Sequence, residues 1–235
     1  MLLGGWGDTD WASHPLAKEL NRDLHAVIVE SREKNSSVLN PATRNDLRRL
    51  ALDVLEITQH YCLLETELVI YGYSWGSLIA ASVVAHGLLC PSLTVLCTPI
   101  ERLVLPPLTR FMLPLAPVRL MPLLLPLLEY WVIRFKSNDP DAALPALRAL
   151  RNANLHNWKA VARANLSPSF ASIYAQLTGP VLVIFVGGDR FHSETEYARI
   201  QQQTPTAKHV HFAHTLPDLP VRVAGEVRRM IDADL

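Results

Sequence analysis

The sequence has an excess of neither charge. Lys+Arg and Asp+Glu both number 22 in 235 residues, so the formal net charge is zero. A chain without a basic surplus has little to offer a polyanion, and nucleic acid is not an expected partner. Cysteine is scarce as well. Cys62, Cys90 and Cys97 are odd in number and lack metal-type spacing, which argues against a disulfide framework. Cys62 and Cys97 sit among apolar residues, where a thiol serves as a small core side chain. A reducing, cytoplasmic setting is the simplest expectation. No basic stretch followed by an apolar run opens the chain at Met1-Leu2-Leu3-Gly4-Gly5, so no signal peptide is expected. Metal clusters and nucleotide-binding loops are missing too, and neither a metal nor a cofactor is expected.

Charge of either sign is absent from Leu68 to Ile100. That length nominally suits a bilayer. However, Gly72, Gly76, Gly87 and Pro91 divide the run into strand, turn, helix and strand, and a buried β-α-β unit has the same hydropathy. No transmembrane segment is expected. Hydrophobic residues make up 49% of the chain against 19% charged, enough for one sizeable core.

What is present alternates between two periods. Met1–Leu3, His25–Glu30, Leu68–Tyr71, Leu93–Cys97, Val181–Val186 and His209–Phe212 read as strands. Between them lie helical patterns: one opened by Ser13 as cap with Pro15 in its first turn, one over 45–60, one over Ser77–His86, and a last from Val221 to Asp232. Strands alternating with helices predict an α/β fold, a mostly parallel sheet with helices on both faces. Residues 101–178 break the rhythm. They hold no convincing strand, are helical in pattern, and are punctuated by Pro106, Pro107, Pro114, Pro117, Pro122 and Pro126. The division expected is a core of 1–100 and 179–235 with 101–178 inserted as a helical lid.

The chemistry centres on Gly72-Tyr73-Ser74-Trp75-Gly76, a Gly-x-Ser-x-Gly placed between a strand and a helix. A tight strand-to-helix turn raises the serine hydroxyl above the sheet, and small residues are needed two positions either side because backbone passes close by. The bland alternative is an ordinary glycine-rich β-α turn. A serine hydroxyl near neutrality needs a base, and the base needs an orienter. Asp189 follows the strand ending at Val186, and His214 follows the last strand, giving the order Ser…Asp…His. Glu101, just past the strand 93–97, is the other candidate acid. His209 and His211 alternate within a strand and read as packing or sheet-face residues. His86 reads as a satisfied helix histidine, and His192 as part of a helix start. The anion formed in acyl transfer needs two donors, and the backbone N–H groups of Trp6 and Trp75 are the candidates. Gly4-Gly5 alternatively forms a turn and nothing more.

With these pieces placed, the chain resembles the α/β-hydrolase fold superfamily over nearly its whole length. Leu2-Leu3-Gly4-Gly5-Trp6-Gly7 resembles that family's Leu-Leu-His-Gly-x-Gly oxyanion loop, and Val27-Ile28-Val29-Glu30-Ser31-Arg32-Glu33-Lys34-Asn35-Ser36 its Asp-x-Arg-Gly-x-Gly-x-Ser loop. Gly72–Gly76 is similar to the nucleophile elbow, Pro180–Asp189 to the acid-bearing strand, and His214 to the histidine before the final helix. Gly4 and Tyr73 stand where histidines are usual, the loop after Glu30 has lost its glycines, and the family's first two strands are absent. Only about three residues precede Gly4, whereas a central strand normally has about five or six. The expectation is that the true start lies upstream, with a naturally trimmed hydrolase as the alternative.

The resemblance implies a hydrolase of a carboxylic ester or thioester, free or carrier-bound, working through an acyl-enzyme on Ser74. The Leu- and Pro-rich lid suggests an apolar acyl or alkyl group. A non-catalytic small-molecule binder on the same fold, or a lyase, cyclase or aminopeptidase using the same triad, remains open.

Overall fold

Uninterrupted apolar runs build the centre of the sheet, because a parallel strand covered on both faces has no solvent side to make polar. The computed structural model describes residues 1–8, 10–40, 42–103, 115, 117–131, 133–134, 140–166, 169–187, 192–213 and 218–233. Its strands are β1 (Leu2–Leu3), β2 (Ile28–Val29), β3 (Val69–Tyr73), β4 (Leu93–Cys97), β5 (Val181–Val186) and β6 (Lys208–Phe212). They form one sheet in the order β2-β1-β3-β4-β5-β6, and every pairing is parallel. β4 and β5 are buried at every position.

Side-chain alternation divides the core in two. Leu3, Ile70, Leu96 and Val183 face α2 (Leu47–His60), α3 (Trp75–Ala85) and α8 (Glu194–Gln203). Leu2, Tyr71, Val95, Leu182 and Ile184 face α1 (Asp10–Leu20) and α9 (Leu219–Ala233). Helices thus cover both faces, as the pattern implied. α2 starts where Asp46 accepts from the Arg49 N–H at 2.9 Å and turns Leu47, Leu50, Ala51 and Val54 inward. Each leucine or valine so buried contributes about 1.5–3 kcal/mol.

β1 lies between β2 and β3, pairing Leu2 with Ile28 and with Tyr71. Two-residue β1 also limits its neighbour. The run expected as a strand over 25–30 pairs only at Ile28–Val29, because a ladder extends no further than its partner. Hydrogen bonds from Leu2 N to Val27 O at 2.7 Å and from the Met1 amine to Val69 O at 2.7 Å continue the contact on either side.

Two local expectations are corrected. α1 begins at Asp10, not at Ser13, and so Pro15 stands inside the helix, where it cannot donate to the Trp11 carbonyl. Cys62 is exposed, at φ +51 just past α2, so it is no core residue. Cys97 is buried as expected, and desolvation pushes its thiol up to about 12.

The segment between β4 and β5 is helical among the described residues: a 3-10 stretch at Val118–Leu124, then α4 (Leu125–Trp131), α5 (Pro140–Arg151), α6 (Leu155–Asn165) and α7 (Ala171–Tyr174). α6 ties this segment to the loop after β2. Asn157, 3% exposed, donates from Nδ2 to Lys34 O at 2.9 Å and to Ser37 O at 2.8 Å. Asn157→Ala strands two carbonyls and is expected to lower unfolding stability by about 1–3 kcal/mol. An unchanged urea midpoint would show that water replaces the amide there.

Candidate active site

The C-terminal ends of the parallel strands point one way, so the loops leaving them gather at a single edge. Tyr73 ends β3 and Trp75 begins α3, leaving Ser74 alone between them at φ +51, ψ −110. An L-residue in that region is strained by about 1–3 kcal/mol unless its surroundings hold it. Here they do. Ser74 N donates to Cys97 O at 2.9 Å, and Ser74 O accepts from Ser77 Oγ at 2.5 Å and from Ser77 N at 3.0 Å. A Cβ on Gly72 would enter the Gly76 carbonyl, and one on Gly76 would enter the Leu3 and Gly4 carbonyls. The elbow can therefore form only with glycine at both positions.

That contact presses α3 against the loop after β1. Gly5, Trp6, Gly7 and Asp8 make a turn closed by Asp8 N to Gly5 O at 3.1 Å, with Gly7 at φ +72, the conformation a type II turn requires at its third residue. Asp8 Oδ2 accepts from Gly5 N at 2.8 Å. The Trp6 and Trp75 rings meet edge to face with centroids 5.4 Å apart, and Trp158 from α6 packs on Trp6 at 5.7 Å. The two residues expected to supply oxyanion donors are thus neighbours beside Ser74. Trp75 is the first residue of α3, where a backbone N–H has no acceptor within the helix.

The described imidazole that meets the serine is His192, whose Nε2 lies 2.9 Å from Ser74 Oγ. Sequence reasoning gave His192 a place in a helix start. The helix does follow, but Ser193 is its cap, accepting from Glu196 N at 3.1 Å. His192 therefore remains outside the helix and turns back over the elbow, its ring edge to face with Tyr73 at 6.1 Å. Its proximity to Asp189 in the chain was the available signal. Asp8 and Glu196 are the carboxyls whose titration is displaced in this region. Burial holds each carboxyl above the usual carboxylate range, opposed at Asp8 by Lys34 and the Gly5 N–H and at Glu196 by the Glu101 N–H.

Asp189 and His214 lie outside the described residues. Glu101, the other candidate acid, has its carboxylate on Arg199 at 3.0 Å. His209 is held by Thr204 O at 3.0 Å, exposed His211 tilts on the Phe185 ring at 5.1 Å, and His86 contacts Ser82 O at 2.8 Å. Among the described residues no group of three or more His, Cys, Asp or Glu is arranged to hold a metal.

A strained serine between a β-strand and a helix, on an all-parallel sheet with helices on both faces, coincides with a sequence relationship. A model of the Alpha/beta hydrolase family matches residues 2–225. The chain belongs to that family. No curated protein matches it by sequence. Solved structures of the hydrolase fold superimpose over almost the whole chain. An esterase from Exiguobacterium antarcticum gives a TM-score of 0.77 at 16% identity, over 98% of this chain and 90% of that one. An enol-lactonase from Burkholderia xenovorans gives 0.76 at 14% identity, over 98% and 90%. A thermophilic esterase from Thermogutta terrifontis gives 0.76 at 17% identity, over 99% and 88%. At these identities the shared feature is the hydrolase fold.

The strain at the elbow is measurable. Ser74→Gly removes the steric penalty of positive φ but adds glycine's larger unfolded entropy, whereas Ser74→Ala keeps the strain. Ser74→Gly is expected to be about 1 kcal/mol more stable than Ser74→Ala in urea unfolding. The opposite ranking would mean the elbow is not strained.

Proposed function

We propose that this alpha/beta hydrolase cleaves carboxylic esters or thioesters through an acyl-enzyme on Ser74. The observation that carries the reading is the elbow itself: between β3 and α3 the fold holds a non-glycine residue at positive φ on the sheet edge. In the reaction, Ser74 Oγ attacks the carbonyl carbon while its proton passes to the imidazole of the base. The Trp6 and Trp75 backbone N–H groups receive the oxyanion. The C–O or C–S bond then breaks, the leaving alkoxide or thiolate takes the proton, and water releases the acid by the same steps in reverse.

The base is assigned to His214 and its orienter to Asp189. This reading rests on chain order and on the neighbourhood of the described residues that precede them. Gly187 N donates to Phe212 O at 2.8 Å, so the segments leaving β5 and β6 start side by side. A second reading, favoured by the 2.9 Å contact, makes His192 the base. Ser74→Ala and His214→Ala are each expected to abolish turnover, a loss of up to ~10⁶. Asp189→Asn should cost about 10⁴, and His192→Ala should retain most activity. Loss with His192→Ala and survival with His214→Ala would transfer the role. A fluorophosphonate probe is expected to add covalently to Ser74. A folded protein that shows no adduct by intact mass would instead be a binder on the hydrolase fold.

Residues 101–178 are proposed as a lid that shapes an apolar site. Leu120, Leu123, Leu127 and Tyr130 in this segment remain exposed, a concentration of apolar surface suited to an acyl or alkyl chain, free or carried by a larger molecule. No described helix is long and apolar enough to cross a membrane. Unpaired Cys62 and Cys90 on the surface fit a reducing, cytoplasmic setting. With p-nitrophenyl esters and acyl-thioesters of graded length, activity should rise from acetate to medium chains, each buried methylene adding up to ~0.8 kcal/mol. A flat or acetyl-favouring profile would remove the apolar pocket from the proposal.

A further inference from the structure

Behind the Gly5–Trp6 peptide lies a buried ion pair that the proposed chemistry does not use. Lys34 and Glu33, in the loop after β2, are 2% and 0% exposed, and Lys34 Nζ is 3.0 Å from Glu33 Oε1. Ser31 Oγ donates to the same carboxylate oxygen at 2.7 Å, and Glu33 Oε2 has no hydrogen-bond partner among the described residues. Such a pair stabilises a fold poorly, because removing two charges from water costs about what their attraction returns. Its second contact is more telling. Lys34 Nζ also donates to the Gly5 carbonyl oxygen.

The Gly5 carbonyl and the Trp6 N–H belong to one peptide. In a planar trans peptide they point in opposite directions, so whatever fixes the carbonyl also aims the N–H. Three groups fix this one. Lys34 Nζ and Asp8 N bind the Gly5 oxygen, and Asp8 Oδ2 binds Gly5 N on the preceding peptide. Asn157 holds the Lys34 backbone from the far side through its carbonyl. A cation on the carbonyl also polarises the peptide and makes its N–H a stronger donor.

We propose that Lys34, neutralised by Glu33, is a positioning residue that holds and polarises the Gly5–Trp6 peptide so that the Trp6 N–H serves as an oxyanion donor; this rests on the acyl-transfer reading of Ser74. The role is electrostatic preorganisation: the donor is aimed before charge develops, and the cation sits on the side of the peptide away from the reacting atoms.

Gly5-Trp6 is the only Gly-Trp pair in the sequence. Protein labelled with carbonyl-13C glycine and 15N tryptophan therefore gives one carbonyl-to-amide NMR cross-peak, that of this peptide, without any need for activity. The test variant is Glu33→Gln with Lys34→Met, which removes both charges at nearly constant volume. In it the Gly5 carbonyl resonance is expected to move upfield as its hydrogen bond is lost. Both kcat on a p-nitrophenyl ester and the fluorophosphonate rate should fall about tenfold to a hundredfold at unchanged KM, just short of the ~10²–10³ for complete loss of a donor. If that variant does not fold, Lys34→Gln, which retains a neutral donor, should give smaller shifts of the same sign. An unmoved cross-peak, unchanged rates or a rise in KM alone would overturn the proposal. A wild-type protein that reacts with neither probe would instead overturn the acyl-transfer reading, and the cross-peak would still report whether Lys34 holds the peptide.

Discussion

A backbone-to-backbone contact between α3 and the end of β1 governs the rest of the active-site edge. Gly76 has no side chain, so the first turn of α3 lies against the Leu3 and Gly4 carbonyls, and Gly72 lets the same turn cross β3. This closeness sets Ser74 in a conformation that an isolated peptide would avoid. It also brings the Trp6 loop to the start of the helix, so that serine, helix N-terminus and turn share one small volume. Loosening either glycine would separate all three.

The strain at Ser74 has to be held by neighbouring structure, and that structure is deeply buried. β4 and β5 beside it are buried throughout, and α3 is buried along ten consecutive residues, Trp75 to Val84. A well-packed interior resists the small displacements that would relax a single residue. β1 and β2 have two residues each, and their side of the sheet depends on side-chain hydrogen bonds between helices and loops: Arg32 with Asp53, Asn157 with the Lys34 and Ser37 carbonyls, and Asn165 with Asn45 O. Polar contacts replace apolar area where strands are short.

A buried Lys–Glu pair beside the oxyanion loop is costly in a family whose corresponding loop resembles one rich in glycine. Glu33, Lys34 and the Gly5 carbonyl are linked in succession by an ion pair and a hydrogen bond, and the Trp6 N–H is on the opposite side of that same planar peptide.

The sequence by itself determined the sheet and the elbow. Runs such as Val181–Val186 and Leu93–Cys97 carry their own burial pattern, and Gly72-x-Ser74-x-Gly76 carries its own backbone requirement, so both are local properties of the chain. Helix and strand ends were less legible: Ser13 looked like a cap, yet α1 starts at Asp10, and the 25–30 run narrows to two paired residues because β1 is short. Asp189 and His214 were read from strand ends and from the family resemblance, and fall outside the described residues. Only the tertiary structure set His192 on Ser74, 118 positions away, and Lys34 on Gly5, 29 positions away. These contacts join loops from different strands, and hydrogen bonds of that kind leave no periodicity in the sequence. They exist because parallel strands deliver their C-terminal ends to one edge, where residues remote in the chain become neighbours.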